Sequence, residues 1–87
     1  MNYVYMLRCR DGSLYTGYTD DPQRRLTVHQ SGKGAKYTRS RLPVQLVYQS
    51  RCDSKSDALK QEFAIKRLTK AEKEKLVVNY QHSAIDG

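Results

Sequence analysis

The four residues Arg10-Asp11-Gly12-Ser13 stand between two short runs rich in apolar, aromatic and β-branched residues, Asn2 to Cys9 and Leu14 to Thr19. This pattern reads as a β-hairpin. An N-terminal hairpin constrains all that follows it, because its loop length decides which side chains share a face. A two-residue turn on Asp11-Gly12 pairs Arg10 with Ser13 and sends Tyr5 and Tyr15 to opposite sides. A three-residue loop, with Gly12 in the left-handed conformation as a bulge, pairs Cys9 with Ser13. Leu7 then faces Tyr15, with Tyr5 diagonally beside it. The second is preferred, since glycine takes a positive φ at least cost.

The next segment, DDPQRRLTVHQSG, carries helix signals at both ends: Asp21 as N-cap, Pro22 at the first helical position and Gly32 beyond the last turn. Arg25 and His29, four apart, then project from one face. GKGAKYTRSRLP follows as a basic loop holding Lys33, Lys36, Arg39 and Arg41 without an acidic residue. VQLVYQS alternates well enough to predict a third strand with Val44, Leu46 and Tyr48 on one face. After Cys52, Ser54 or Ser56 caps a helix over about 57–68, whose apolar sector of Ala58, Leu59, Phe63 and Ile65 also contains Glu62 and Lys66. Thr69 and Glu72 form a capping box for a last helix over about 70–80. The pattern therefore predicts one α+β domain over residues 1–80, a three-stranded antiparallel sheet flanked by helices in the order β-β-α-β-α-α, and a disordered tail over 81–87.

Sixteen Lys and Arg against nine Asp and Glu leave a net charge of +7 on 87 residues, the electrostatic footprint of a polyanion ligand. Nucleic acid is the first candidate. A membrane surface is excluded as partner, because the Lys-rich C-terminal third lacks the bulky apolar face that such binding needs, and no run reaches spanning length. No signal peptide is legible, so a cytoplasmic location with reduced thiols is expected. Cys9 and Cys52 stand singly and, with His29 and His82, lack the spacing of a zinc site.

Tyr3-Val4-Tyr5, then Tyr15-Thr16-Gly17, then Arg24-Arg25 with His29, and a helical Glu62 in LKQEFAIKRL, together resemble the GIY-YIG nuclease domain, most closely its small stand-alone bacterial members. The resemblance extends from Asn2 to about Val78. It implies a metal-dependent phosphodiesterase site on one face of the first hairpin, with catalytic residues Tyr5, Tyr15, Arg25, His29 and Glu62. One tyrosine would activate the attacking water, and Glu62 would hold one Mg²⁺ or Mn²⁺. The sequence departs from the family pattern in three places. Tyr3 replaces the motif's Gly, Thr16 replaces its Ile, and Asn79 is the only candidate for the Asn that some members carry after the Glu.

These residue types suit phosphodiester hydrolysis on chemical grounds. Arg25 can grip a phosphate in a fork, a carboxylate can hold a hydrated hard cation, and a tyrosine can serve as base only where its surroundings favour loss of its proton. Each also has a plain structural reading. Tyr5 and Tyr15 fit a half-buried sheet face, Arg25 and His29 a solvated helix face, and Glu62 with Lys66 an i,i+4 ion pair. The leading expectation is a metal-dependent endonuclease acting on DNA ahead of RNA, with Lys33, Lys36, Arg39 and Arg41 on the nucleic acid. The alternative is a binding module on the same fold that does not cleave, or cleaves only with a protein partner supplying recognition.

Overall fold

The computed structural model describes residues 1–86, with side chains to Ser83. Strands β1 (Asn2–Arg8) and β2 (Leu14–Thr19) form the hairpin, followed by α1 (Pro22–Gln30), the short α2 (Lys36–Arg39), β3 (Gln45–Cys52), α3 (Lys55–Lys66) and α4 (Lys70–Asp86). The sheet is antiparallel in the order β2-β1-β3, which makes β2 an edge strand.

The hairpin takes the three-residue loop. Cys9 N–H donates to Ser13 O at 2.8 Å, Gly12 has φ +85°, and Leu7 lies opposite Tyr15. This register sets Tyr5 opposite Gly17. The sheet divides the core in two. Val4, Met6, Val47, Cys52, Ala58, Ile65 and Val77 pack on the α3–α4 side, while Tyr5, Leu7, Cys9 and Val44 pack with Leu26, Leu42 and Leu46 on the α1 side.

Strand β3 departs from the expected alternation. Leu46 lies opposite Leu7 and Tyr48 opposite Met6, so Val47 is the extra residue of a bulge. A bulge turns two consecutive side chains to one face. Val44 and Leu46 therefore join the α1 side, and Val47 and Tyr48 the other.

The helix ends follow their capping chemistry. Asp21 accepts from Arg24 N–H, Ser54 from Asp57 N–H, and Thr69 and Glu72 exchange bonds as a capping box. Gln30, at the end of α1, donates to Val44 O and accepts from Val44 N–H, tying α1 to the start of β3. Two boundaries differ from the sequence pattern. The basic loop contains α2, and α4 continues to Asp86, past Tyr80 into the segment expected to be disordered; Gly87 lies outside the described residues. No helix among the described residues is long and apolar enough to cross a membrane.

Candidate active site

Because β2 is the edge strand, side chains from both layers meet beyond it. They enclose an open cavity of about 370 Å³ whose lining includes Tyr5, Tyr15, Arg25, His29 and Glu62. All five residues that the family resemblance nominates therefore stand around one cavity.

Tyr5 comes from β1 and reaches it only because Gly17 lies across the strand pair. A Cβ at Gly17 would stand 2.6 Å from Tyr5 Oη and 2.8 Å from Cζ. Tyr15, on the same sheet face, places its ring 6.4 Å from that of Tyr5 and edge-on to His29 at 5.3 Å. Arg25 and His29 rise from α1 one turn apart, as their spacing predicts. Arg25 is exposed and makes no ion pair among the described residues, whereas His29 is buried.

The hydrogen bonds around His29 fix its tautomer. Tyr5 Oη lies 2.9 Å from Nε2 and Thr38 Oγ1 lies 2.8 Å from Nδ1. Thr38 donates its own proton to Ala35 O, so its Oγ1 accepts from Nδ1–H. Nε2 is then the acceptor, and Tyr5 O–H donates to it. Proton order runs from Tyr5 through His29 to Thr38 and ends on a backbone carbonyl. Burial, with the Tyr15 phenol second, holds the Tyr5 hydroxyl well above its ordinary range against the opposing pull of Arg25. Burial, and behind it the Arg25 cation, lowers the His29 pKa, which favours the neutral ring that this network requires.

Glu62 is half-buried on α3, and Lys66 Nζ lies 3.4 Å from its Oε2. Its neighbours Leu59 and Phe63 are exposed, so the expected apolar sector is buried only at Ala58 and Ile65. This explains a carboxylate among apolar positions: that side of α3 borders the cavity. Among the described residues Glu62 is the only carboxylate in the cavity lining, and there is no group of three or more His, Cys, Asp or Glu able to hold a metal. One carboxylate suits a hard cation that keeps most of its water, and does not suit structural zinc.

The four basic-loop residues separate. Lys33, Lys36 and Arg39 are exposed, while Arg41 donates to Asp11 Oδ2 at 3.1 Å and lies 3.8 Å from the centre of the Tyr37 ring. Asn79 lies with Ala71, Glu74, Lys75 and Val78 on α4, away from the cavity. Sequence reasoning missed Thr38, which carries His29, and Gly34, where a Cβ would collide with the His29 ring. Gly34 left the only trace, a second glycine in the loop after α1. Cys9 and Cys52 are buried free thiols, both pushed above their ordinary pKa by burial and absent from the cavity lining.

The model of the GIY-YIG catalytic domain matches residues 1–75. A UPF0213 protein of Staphylococcus saprophyticus is 53% identical over 76 residues, 87% of this chain and 93% of that one. A UPF0213 protein of Natronomonas pharaonis is 54% identical over 78 residues, 90% and 92% of the two chains. Among solved structures, a UPF0213 protein of Bacillus halodurans is similar with a TM-score of 0.58 at 53% identity, covering 90% of this chain and 84% of its own. A protein of E. faecalis is similar with a TM-score of 0.61 at 45% identity, covering 92% and 85%.

Proposed function

The chain belongs to the GIY-YIG catalytic-domain family, a nuclease superfamily, and on that premise we propose that it is a metal-dependent endonuclease acting on DNA. The observation that carries this reading is the Tyr5 Oη–His29 Nε2 hydrogen bond, in a cavity whose lining also includes Arg25 and Glu62.

A buried phenol is a poor base by itself, and burial has made Tyr5 poorer. The His29 bond removes the difficulty. As the attacking water gives a proton to Tyr5 Oη, Tyr5 passes its own to His29 Nε2, so no free phenolate accumulates. The imidazolium keeps Nδ1–H on Thr38 Oγ1, and the negative charge of a bound phosphate offsets the cost of charging a buried ring. Arg25 grips the scissile phosphate through two N–H groups and meets the charge that grows on its oxygens. Tyr15 packs edge-on against His29 and holds the ring plane. Glu62 would hold one Mg²⁺ or Mn²⁺, which supplies Lewis-acid stabilisation of the phosphate and leaving oxygens when bound.

A site arranged to activate an external water suits DNA, which lacks the 2′-hydroxyl of RNA. Lys33, Lys36 and Arg39 are free to meet the flanking backbone. Substrate choice by a protein partner is part of the same proposal. The Lys66–Glu62 pair favours a second reading, a nucleic-acid-binding module whose one carboxylate is already satisfied. Incubation with nicked, branched and single-stranded DNA and with RNA, in Mg²⁺, Mn²⁺ or EDTA, tests the two. Cleavage of DNA that EDTA stops supports the endonuclease; binding without cleavage under every condition favours the module.

A further inference from the structure

Thr16 stands where the family motif carries Ile, and the proposed chemistry makes no use of it. It is buried, and its Oγ1 has no hydrogen-bond partner among the described residues. An unpaired buried hydroxyl costs free energy that an Ile would not, so its presence calls for a ligand. Thr16 helps line a second open groove of about 290 Å³, with Leu14, Tyr15, Tyr37, Lys66 and Lys73. No lining residue is acidic, and Lys73 makes no ion pair among the described residues. The Lys66 ammonium lies 3.4 Å from Glu62 Oε2, between the two cavities, and Tyr15 belongs to the walls of both.

We propose that this groove is a second phosphate subsite, in which Lys66, Lys73 and the Thr16 hydroxyl hold the backbone phosphate of a nucleotide next to the scissile one. The inference rests on the nuclease reading and adds the path of the strand: out of the catalytic cavity, past Tyr15, along the edge of β2. The groove suits phosphate better than a base, because the Tyr37 ring is already stacked on Tyr15 and covered by the Arg41 guanidinium. The Thr16 hydroxyl is buried here, and a turn about χ1 would bring it to the phosphate as a neutral donor beside the two lysines. As the edge strand, β2 also leaves backbone N–H groups unpaired along its outer edge.

The test is equilibrium binding of a fluorescent single-stranded DNA oligonucleotide in EDTA, so that no cleavage intervenes, across a salt series. Lys73→Gln should flatten the slope of log K against log salt by about 0.7, the value for one single-strand phosphate contact. Lys75→Gln, on the same helix but away from the groove, should leave the slope unchanged. Thr16→Val removes only a hydroxyl and should weaken binding about fivefold at constant slope, without loss of thermal stability. Equal flattening by the two lysine variants overturns the subsite in favour of a diffuse basic surface. If Arg25→Gln flattens the slope and Lys73→Gln does not, the subsite is wrong and the catalytic reading stands. If Arg25→Gln also leaves the slope unchanged, the cavity is off the strand path and both fall.

Discussion

Gly17→Ala is the smallest change that should disable the site. The backbone at Gly17 is not in the left-handed region, so alanine adds a methyl group and no backbone strain. That methyl meets Tyr5 Oη at 2.6 Å, where ordinary contact begins at 3.4 Å, so the ring must retreat by about 0.8 Å. Such a movement either breaks the 2.9 Å bond to His29 or drives the hydroxyl into the imidazole. Losing a buried hydrogen bond costs about 1–3 kcal/mol. For a domain of this size that corresponds to a fall in Tm of roughly 5–15 °C. Displacement of a reacting group by about 1 Å costs on the order of a hundredfold in rate. Thermal melting and DNA cleavage with Mg²⁺, on Gly17→Ala beside the parent, measure both. Gly12→Ala is the control: it has open space but φ +85°, so it should lower Tm modestly and leave cleavage alone. A Gly17→Ala protein that melts and cleaves like the parent would refute the packing of Tyr5 against Gly17 and the proton order built on it.

Other outcomes follow from single contacts. Arg25→Lys keeps the charge but loses the fork, and should lower turnover by orders of magnitude while binding barely changes in a fluorescence assay. Replacing Lys33, Lys36 and Arg39 together by Ala should flatten the salt slope on duplex DNA by about 2.7, at roughly 0.9 per phosphate contact, whereas Arg41→Ala should act on stability through its Asp11 bond, read by melting. Hydrogen bonds from Arg8 and then Lys70 hold the Glu74 carboxyl down at about 2, so its stabilisation is full above about 4.5 and lost as pH falls toward 2. Glu74 is a third exposed, so solvent screening leaves about 1 kcal/mol; urea melts of Glu74→Gln should therefore trail the parent at pH 7 and converge with it at pH 2. His29 is held below its ordinary value of 6.5 and must be neutral to take the Tyr5 proton, so cleavage rates should be flat near pH 7 and fall only below 6.5.

How much was legible in the sequence varies with the range of the interaction. The hairpin loop, the caps of α1, α3 and α4 and the stacking of Arg25 over His29 depend on residues within a turn or two of each other, and short spacing records them. The bulge at Val47 is set by pairing with Met6 and Leu7, some forty residues away, so local alternation misassigned Tyr48. Leu59 and Phe63 look like core on a helical projection, but Leu59 borders the open cavity and Phe63 is exposed under the Arg67 guanidinium. Thr38 left no pattern because its role is defined by contact with His29 across a loop. The extension of α4 past Tyr80 carried no cap or breaker to mark it.

The proposed chemistry turns on Glu62 holding a divalent cation in this cavity. Metal titration by calorimetry on Glu62→Gln, with gel cleavage of DNA on the same preparation, tests it most directly. Both metal affinity and cleavage should be lost at parental melting temperature, with oligonucleotide binding in EDTA intact or slightly tighter because one negative charge near the phosphate has gone. Cleavage by Glu62→Gln at the parental rate would contradict it and leave Glu62 as the ion-pair partner of Lys66 alone.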